Sequence, residues 1–423
     1  MGINFKEICI SAKKASREFS LLEKGQRNQI LLRIASRILE GKNQILTANK
    51  IDYDNAKVSG SDNHILDRLF LNEERIDAIV DGVYQIVELE DPLGIEYDSN
   101  VRPNGLNVSK ISVPLGVIGV IYESRPNVTL DIVALCVKSG NVCILKGGSD
   151  TLNTNNTIVA LIHKAFADLK LNPNIVQFIN SSDRKYVDSM LSAIDYIDLI
   201  IPRGGAELVN MVREKSRVPA ITGGIGVCHI YVDESANINK AVEIIHNAKV
   251  QRPSVCNALD TVLFSQNITE DIIINVARKL LESEVEIHAD SKSFDIISSL
   301  NEDYPNSICL ASDDDWGQEF LSLTLSMRMA DSIEDAIEYI NYYGGHSEAI
   351  ISENNDHIAQ FSKAIDSSAV FVNASTRFND GGELGLGAEV AISTSKIHAR
   401  GPMGIKDLTS YKWIVIGDGQ IRD

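Results

Sequence analysis

Cys256 lies in the run Gln251-Arg252-Pro253-Ser254-Val255-Cys256-Asn257-Ala258-Leu259, after a helical pattern ending near Val250 and before an apolar stretch. Pro253 stops the helix and pushes Arg252 toward extended backbone, so the thiol is expected on a reachable loop. Only the thiolate is nucleophilic, and a nearby cation such as Arg252 favours it, so the pattern suits covalent catalysis. The competing reading is a small buried hydrophobe. Cys228, inside the apolar run 227–232, fits that description better, as do Cys136 and Cys143.

Glycine clusters offer phosphate cradles at Lys146-Gly147-Gly148-Ser149, Pro202-Arg203-Gly204-Gly205-Ala206 and Thr222-Gly223-Gly224-Ile225-Gly226. Each is expected to follow a strand, and the second to open a helix whose first amides attract an anion. None matches G-x-G-x-x-G or a Walker A loop, and each alone is equally a tight turn. Lys146 is followed by Gly, Gly and Ser rather than an acid. A ribose 2′-phosphate would meet that cation without repulsion, which favours NADP over NAD. The eight histidines form no H-E-x-x-H and no helix-spaced pair, and the six cysteines no C-x-x-C, so no catalytic metal is expected.

The elements that would position these groups follow from periodicity. Residues 5–86 repeat their apolar positions at helical spacing, as in Ile30, Ile34 and Ile38. Val101-Arg102-Pro103-Asn104-Gly105-Leu106 then carries an Asn-Gly hairpin signal. From Val113 short apolar runs alternate with helical patterns, and a second such series starts near Ala241. The alternation predicts parallel strands crossed over by helices, a doubly wound α/β fold that binds dinucleotides at the carboxyl ends of its strands.

Length and composition bound the reading. A chain of 423 residues is too long for one core and calls for two or three domains. Its 40 basic and 58 acidic residues leave a net charge of −18, which opposes nucleic acid and anionic membranes. The longest uncharged apolar run, 111–122, holds Pro114, Gly116 and Gly119 and falls short of the ~20 residues of a membrane helix. Scattered cysteines and an N-terminus, Met1-Gly2-Ile3-Asn4-Phe5-Lys6, without an apolar signal stretch predict a cytoplasmic protein.

The stretch Val113-Pro114-Leu115-Gly116-Val117-Ile118-Gly119-Val120-Ile121-Tyr122-Glu123-Ser124-Arg125-Pro126-Asn127, the segment 201–208, the Cys256 loop, and Val372-Asn373-Ala374-Ser375-Thr376-Arg377-Phe378 continuing to His398-Ala399-Arg400-Gly401-Pro402-Met403-Gly404 together resemble the gamma-glutamyl phosphate reductases of the aldehyde dehydrogenase superfamily. The resemblance covers nearly the whole chain. It implies a Rossmann-like NADP-binding domain at 1–97 and 116–226, an α/β catalytic domain at 227–395, and a β flap for oligomerisation at 98–115 and 396–423. The implied reaction is NADPH-dependent reduction of L-glutamyl 5-phosphate to L-glutamate 5-semialdehyde with release of phosphate, the second step of proline biosynthesis from glutamate. Cys256 would attack the acyl phosphate, and the thioester would then be reduced. The Cys256 backbone N–H and the Asn127 side chain would hold the oxyanion.

The same resemblance places the cofactor on Lys146, Gly147, Gly148, Ser149, Arg203, Gly204, Gly205, Thr222, Gly223 and Glu319, with Glu319 matching a glutamate that binds the nicotinamide ribose. Arg125, Arg252 and Arg377 are candidates for the substrate's anionic groups, with Arg400 a further one, and spacing does not choose among them. Hydrolytic members of the superfamily carry a glutamate base where this chain has Thr222, so the substitution argues for reduction of an acyl phosphate. One departure stands at Tyr339, where the family has a histidine, with one residue fewer before His346, so a histidine role there does not carry over. A homo-oligomer is expected, and an association with glutamate 5-kinase, which makes the labile substrate, is admitted. The competing readings are a hydrolytic NAD(P)-dependent aldehyde dehydrogenase, which Thr222 opposes, and a nucleotide-binding scaffold, which a reactive Cys256 opposes.

Overall fold

The structure, a computed structural model, describes residues 4–223 and 226–422. Gly224 and Ile225 of the third glycine cluster, the first three residues, and the side chains of Asn63, His64 and Ala206 lie outside the described residues. The chain divides into two compact units, 1–222 with 385–391 and 403–423, and 223–384 with 392–402. The expected flap segment 396–423 is therefore divided, its first residues belonging by contact to the second unit.

The first unit opens with the helices Phe5–Phe19, Lys24–Glu40, Lys42–Val58, Asn63–Leu69 and Glu73–Glu88. The strands β1 (Glu96–Val101) and β2 (Asn107–Pro114) then form an antiparallel hairpin, closed where the Arg102 N–H donates to the Leu106 carbonyl at 2.8 Å. Next come β3 (Val117–Tyr122), β4 (Val142–Gly147), β5 (Val176–Phe178) and β6 (Leu199–Arg203), all parallel in the order β5-β4-β3-β6. Every residue of β3 and β4 is buried, as expected for strands covered on both faces, which read as apolar runs rather than alternations. The winding reverses between β3 and β6, the place in a doubly wound sheet where a ligand crevice is expected at the carboxyl ends of the strands.

The second unit carries a seven-stranded parallel sheet among the described residues. Its strands are β7 (His229–Val232), β8 (Thr261–Ser265), β9 (Glu286–Ala289), β10 (Ile308–Leu310), β11 (Thr324–Ala330), β12 (Ser347–Ile351) and β13 (Ala369–Val372), in the order β10-β9-β11-β8-β7-β12-β13. A small pair, β14 (Ile392–Ser393) and β15 (Gly401–Pro402), completes it. The last strand, β16 (Thr409–Ile416), returns to the first unit and lies antiparallel on β2. The strands β9, β10 and β12 are not legible from periodicity, because Glu286 and His288 interrupt the apolar run of β9, Ser347 and Glu348 that of β12, and β10 has only three residues.

Candidate active site

The helix Ile238–Val250 starts on Asn237, whose side chain accepts from the Asn239 and Lys240 N–H groups, and the chain then turns through Pro253 to bring Cys256 before β8. Gly226 and Cys228 lead into β7, and Glu319 and Phe320 precede β11. Since β11, β8 and β7 are neighbours, their three approach loops must lie side by side at the amino ends of the strands. They meet at Gly226. A Cβ there would stand 2.8 Å from Cys256 Cβ, 2.8 Å from the Cys256 carbonyl oxygen and 2.8 Å from Glu319 Oε1. Only a glycine lets these three loops approach so closely, so the third glycine cluster serves the Cys256 loop at Gly226.

The Cys256 loop is held on all sides. Asn257 is buried and its Nδ2 donates to the carbonyls of Asn379 (3.1 Å) and Arg377 (3.3 Å), while its own carbonyl accepts from Thr376 Oγ1 at 2.8 Å. The Cys228 thiol donates to the Cys256 carbonyl at 3.1 Å. Burial pushes the Cys228 thiol up, which keeps it protonated and makes it a strut rather than a nucleophile. Cys136 and Cys143 are buried as well, whereas Cys256 is half-buried, as is Cys309 on β10. Asp260 ties two of the loops together by accepting from the Cys228 N–H (3.2 Å) and the Phe320 N–H (3.0 Å). The buried Lys249 ammonium stands 4.0 Å away and donates to the Leu259 carbonyl. Burial pushes the Asp260 carboxyl up and the Lys249 amine down, as desolvation of each charge requires.

Glu319 is not a solvated loop acid. Burial raises its pKa, and the Gly226 N–H donates to it. Gly317, with φ of +75°, lets the chain pass Tyr343, where a Cβ would lie 2.2 Å from the ring. Arg377 Nε donates to Gln251 Oε1 at 2.8 Å, and burial together with Arg252 opposes its charge while Asp380 and Cys256 support it. Two guanidiniums thus share one neighbourhood with the thiol, which disposes it to bind anions. Arg400 is not of this group, since its guanidinium holds the Asp366 carboxylate (2.9 Å) and carbonyl (2.8 Å). Tyr339 packs among His229, Trp316, Tyr343 and the Arg328 guanidinium, and so fills its position as an aromatic core residue.

In the first unit the other predicted residues gather at the carboxyl ends of β3, β4 and β6. Lys146 and Gly147 end β4, with Gly148 and Ser149 just beyond, while Arg203 ends β6. Lys146 is buried and its Nζ donates to the Gly147 carbonyl at 2.7 Å. The spacing reading found no acid close behind Lys146, but the fold brings Asp150 and Asp183 into its field, which support its charge against burial. The anion position expected at Arg203-Gly204-Gly205 is filled from within. Glu123 accepts from the Gly205 N–H at 3.0 Å, the amide that opens the helix Ala206–Lys215. Ser124, at φ +40°, donates to Asp150 beside it. Thr222 is buried, and it follows an isolated bridge at Ala220 rather than a strand.

Arg125 lies in the loop that carries β3 into the helix Asn127–Lys138. Asn127 is the first residue of that helix, and its Nδ2 donates to Asp131 at 3.0 Å. Burial pushes the Asp131 carboxyl up to about 6, against the opposing pull of Asn127 and Arg203. Sequence reasoning gave no role to Asp131, Glu123 or Asp260 and read Gly226 only as part of a phosphate cradle. An acid four residues after Asn127, on the same helix face, was the one readable signal.

Comparison with known proteins follows the same lines. The model of the aldehyde dehydrogenase family matches residues 4–298. The chain is 47% identical over 99% of each chain to a gamma-glutamyl phosphate reductase of Roseiflexus castenholzii, and 46% identical to that of Dehalococcoides mccartyi over 97% of this chain and 96% of the other. The crystal structure of the gamma-glutamyl phosphate reductase of Thermotoga maritima superposes with a TM-score of 0.96 at 39% identity over the whole of both chains. An acetylating aldehyde dehydrogenase of Geobacillus thermoglucosidasius, at 16% identity and a TM-score of 0.69 over 99% of this chain and 97% of that one, shares the fold. The chain belongs to the aldehyde dehydrogenase family and, within it, to the gamma-glutamyl phosphate reductases.

Proposed function

We propose that the protein reduces L-glutamyl 5-phosphate to L-glutamate 5-semialdehyde, with NADPH as reductant and phosphate as the group released, in the synthesis of proline from glutamate. The observation that carries this reading is the Cys256 loop, clamped by Asn257 and Gly226 beside Arg252 and Arg377. The Cys256 sulfur forms a bond to the acyl carbon, the bond from that carbon to the phosphate oxygen breaks, and inorganic phosphate departs with the bonding pair. Arg252 and Arg377 hold the anionic groups of the substrate, with Arg125 a third candidate. Asn127 supplies a side-chain donor to the oxyanion. Its amide has two hydrogens, and the one given to Asp131 fixes the orientation of the other.

The carboxyl ends of β3, β4 and β6 fit a dinucleotide, because the winding reverses there and a buried ammonium, Lys146, stands beside glycines 147 and 148. Lys146, Ser149, Arg203, Gly204, Thr222, Gly223 and Glu319 would hold it, with Glu123 yielding the Gly205 amide if a phosphate takes that place. When bound, NADPH supplies the hydride that the thioester accepts. With Thr222 in place of a carboxylate, that position supplies no base to activate water, which favours transfer of the acyl group between phosphate and thiol over hydrolysis.

We further propose a homo-oligomer built on β16. Tyr411, Trp413 and Val415 project from one face of this edge strand and are 47%, 54% and 55% exposed. The experiment that tests the nucleophile is alkylation by iodoacetamide with peptide mapping. Modification of Cys256 that is slowed by glutamate semialdehyde with NADP and tracks the loss of activity, independently of any reaction at the half-buried Cys309, supports the reading. Modification elsewhere with activity lost in step refutes it.

A further inference from the structure

On the edge of the second sheet, on the strands β9 and β10, three metal-binding side chains share one face. Glu286 and His288 stand two residues apart on β9, and so point to the same side. Cys309 of β10 pairs with His288 in parallel register, which brings it to that side too. The carboxylate oxygen, the imidazole nitrogen and the sulfur all lie within 4.8 Å of one another. Asp315 Oδ1 stands 2.7 Å from His288 Nδ1, the carboxylate–histidine contact that orients a ligating imidazole and leaves Nε2 as the atom that would face a metal ion. His288 Nε2 is shut off from solvent and makes no hydrogen bond, although Glu286 Oε1 is 3.2 Å from it. Three ligand atoms thus face one another, and the Cys309 thiol, which burial together with the Glu286 and Asp315 carboxylates keeps protonated, would give up its proton to an incoming metal ion.

We propose that Glu286, His288 and Cys309 bind a divalent ion of the zinc class, with Asp315 as the orienting carboxylate behind the histidine. Sulfur, nitrogen and a single carboxylate select zinc, cobalt or nickel over magnesium or calcium, which require shells of oxygen. Zinc bonds of about 2.0–2.3 Å need the three donors to close in only modestly, a matter of side-chain rotation at a half-exposed edge. Three protein ligands leave a fourth position for water or an exogenous ligand. The ion would also stiffen the segment leading to the active site, because the Phe320 ring packs edge-on against His288 at a centroid distance of 5.7 Å and the Phe320 N–H reaches Asp260.

The test is titration of the chelator-treated, full-length enzyme with cobalt(II), followed by its near-ultraviolet thiolate-to-cobalt band and by zinc competition against a chromophoric chelator. One equivalent is expected to bind, with a band that persists in Cys256→Ala and disappears in Cys309→Ser. Glu286→Gln, a change at an exposed residue that leaves the fold intact, is expected to weaken zinc binding at least about 10-fold, and Asp315→Asn by roughly 10–100-fold. A band lost in Cys256→Ala but kept in Cys309→Ser, unchanged zinc affinity in both Glu286→Gln and Asp315→Asn, or no stoichiometric uptake would overturn the proposal.

Discussion

Gly226→Ala is the sharpest test of how the nucleophile is positioned. The added methyl carbon would sit 2.8 Å from Cys256 Cβ, from the Cys256 carbonyl oxygen and from Glu319 Oε1. Carbon atoms in contact prefer about 3.5–4.0 Å, so the Cys256 loop must retreat by roughly 0.7–1.2 Å. Two of the three contacts are with the loop's own backbone and Cβ, which cannot rotate away, and Asn257 anchors the loop behind them. A misplacement of about 1 Å costs on the order of 10²-fold in rate, close to 2.7 kcal/mol. Overpacking adds about 1–3 kcal/mol of lost stability. The assay is kcat/KM for semialdehyde oxidation with NADP and phosphate, alongside thermal unfolding and the stoichiometry of Cys256 alkylation. A folded variant that still alkylates at Cys256 yet has lost about 100-fold in kcat/KM is expected. Gly25→Ala, where a Cβ meets nothing within 4 Å, serves as control and should be neutral or slightly stabilising. A folded Gly226→Ala with kcat/KM within about threefold of the parent would refute the reasoning that these contacts set the loop.

Three further outcomes follow from the same structure. Burial pushes the fully enclosed His346 down to about 4, against the opposing pull of Glu348. Between about pH 6.5 and 4 the unfolded chain therefore binds a proton that the native state refuses, and stability falls as pH falls. The loss should reach about 2 kcal/mol by pH 5 relative to neutral pH, and His346→Gln should remove that part of the slope in urea unfolding measured at both values. Asp52 is buried and accepts from the Thr154 N–H (2.8 Å), Thr154 Oγ1 (2.6 Å) and Asn153 Nδ2 (2.7 Å), so it caps the helix Leu152–Asp168 from a distant part of the chain. Asp52→Ala leaves buried donors unsatisfied and should cost about 2–4 kcal/mol, read by urea unfolding. On β16, Trp413→Asp together with Val415→Asp should shift the mass measured by light scattering toward the protomer with little loss of protomer stability. An unchanged mass would exclude this strand face from the interface.

Much of this was legible in the sequence because parallel strands covered on both faces leave continuous apolar runs. The runs at 117–122, 142–145 and 197–201 fall on β3, β4 and β6, and the helical patterns between them fall on the crossover helices. Cys256 was legible because Pro253 marks the loop and because the cysteines expected in the core are indeed buried. What stayed hidden depends on register and side-chain reach. Nothing in the order Lys146-Gly147-Gly148-Ser149 says that Asp183, on a later loop, comes into the field of the lysine. The Glu123 carboxylate bends back to the Gly205 amide across 82 positions, and glycine spacing cannot signal that. Gly226 reads as part of a phosphate loop until β7, β8 and β11 are found side by side. Glu286, His288 and Cys309 escape a motif search for the same reason, since Cys309 joins the other two through the pairing of two very short strands.

The central claim is that Cys256 carries an acyl group to which phosphate, not water, is the partner. The most direct measurement supplies glutamate semialdehyde, in equilibrium with its cyclic imine, and NADP, and follows nicotinamide reduction with and without inorganic phosphate. Reduction that requires phosphate and vanishes in Cys256→Ala is the result expected here. Reduction that runs equally well without phosphate would make water the acceptor and contradict the account of Thr222 and of the reaction's direction.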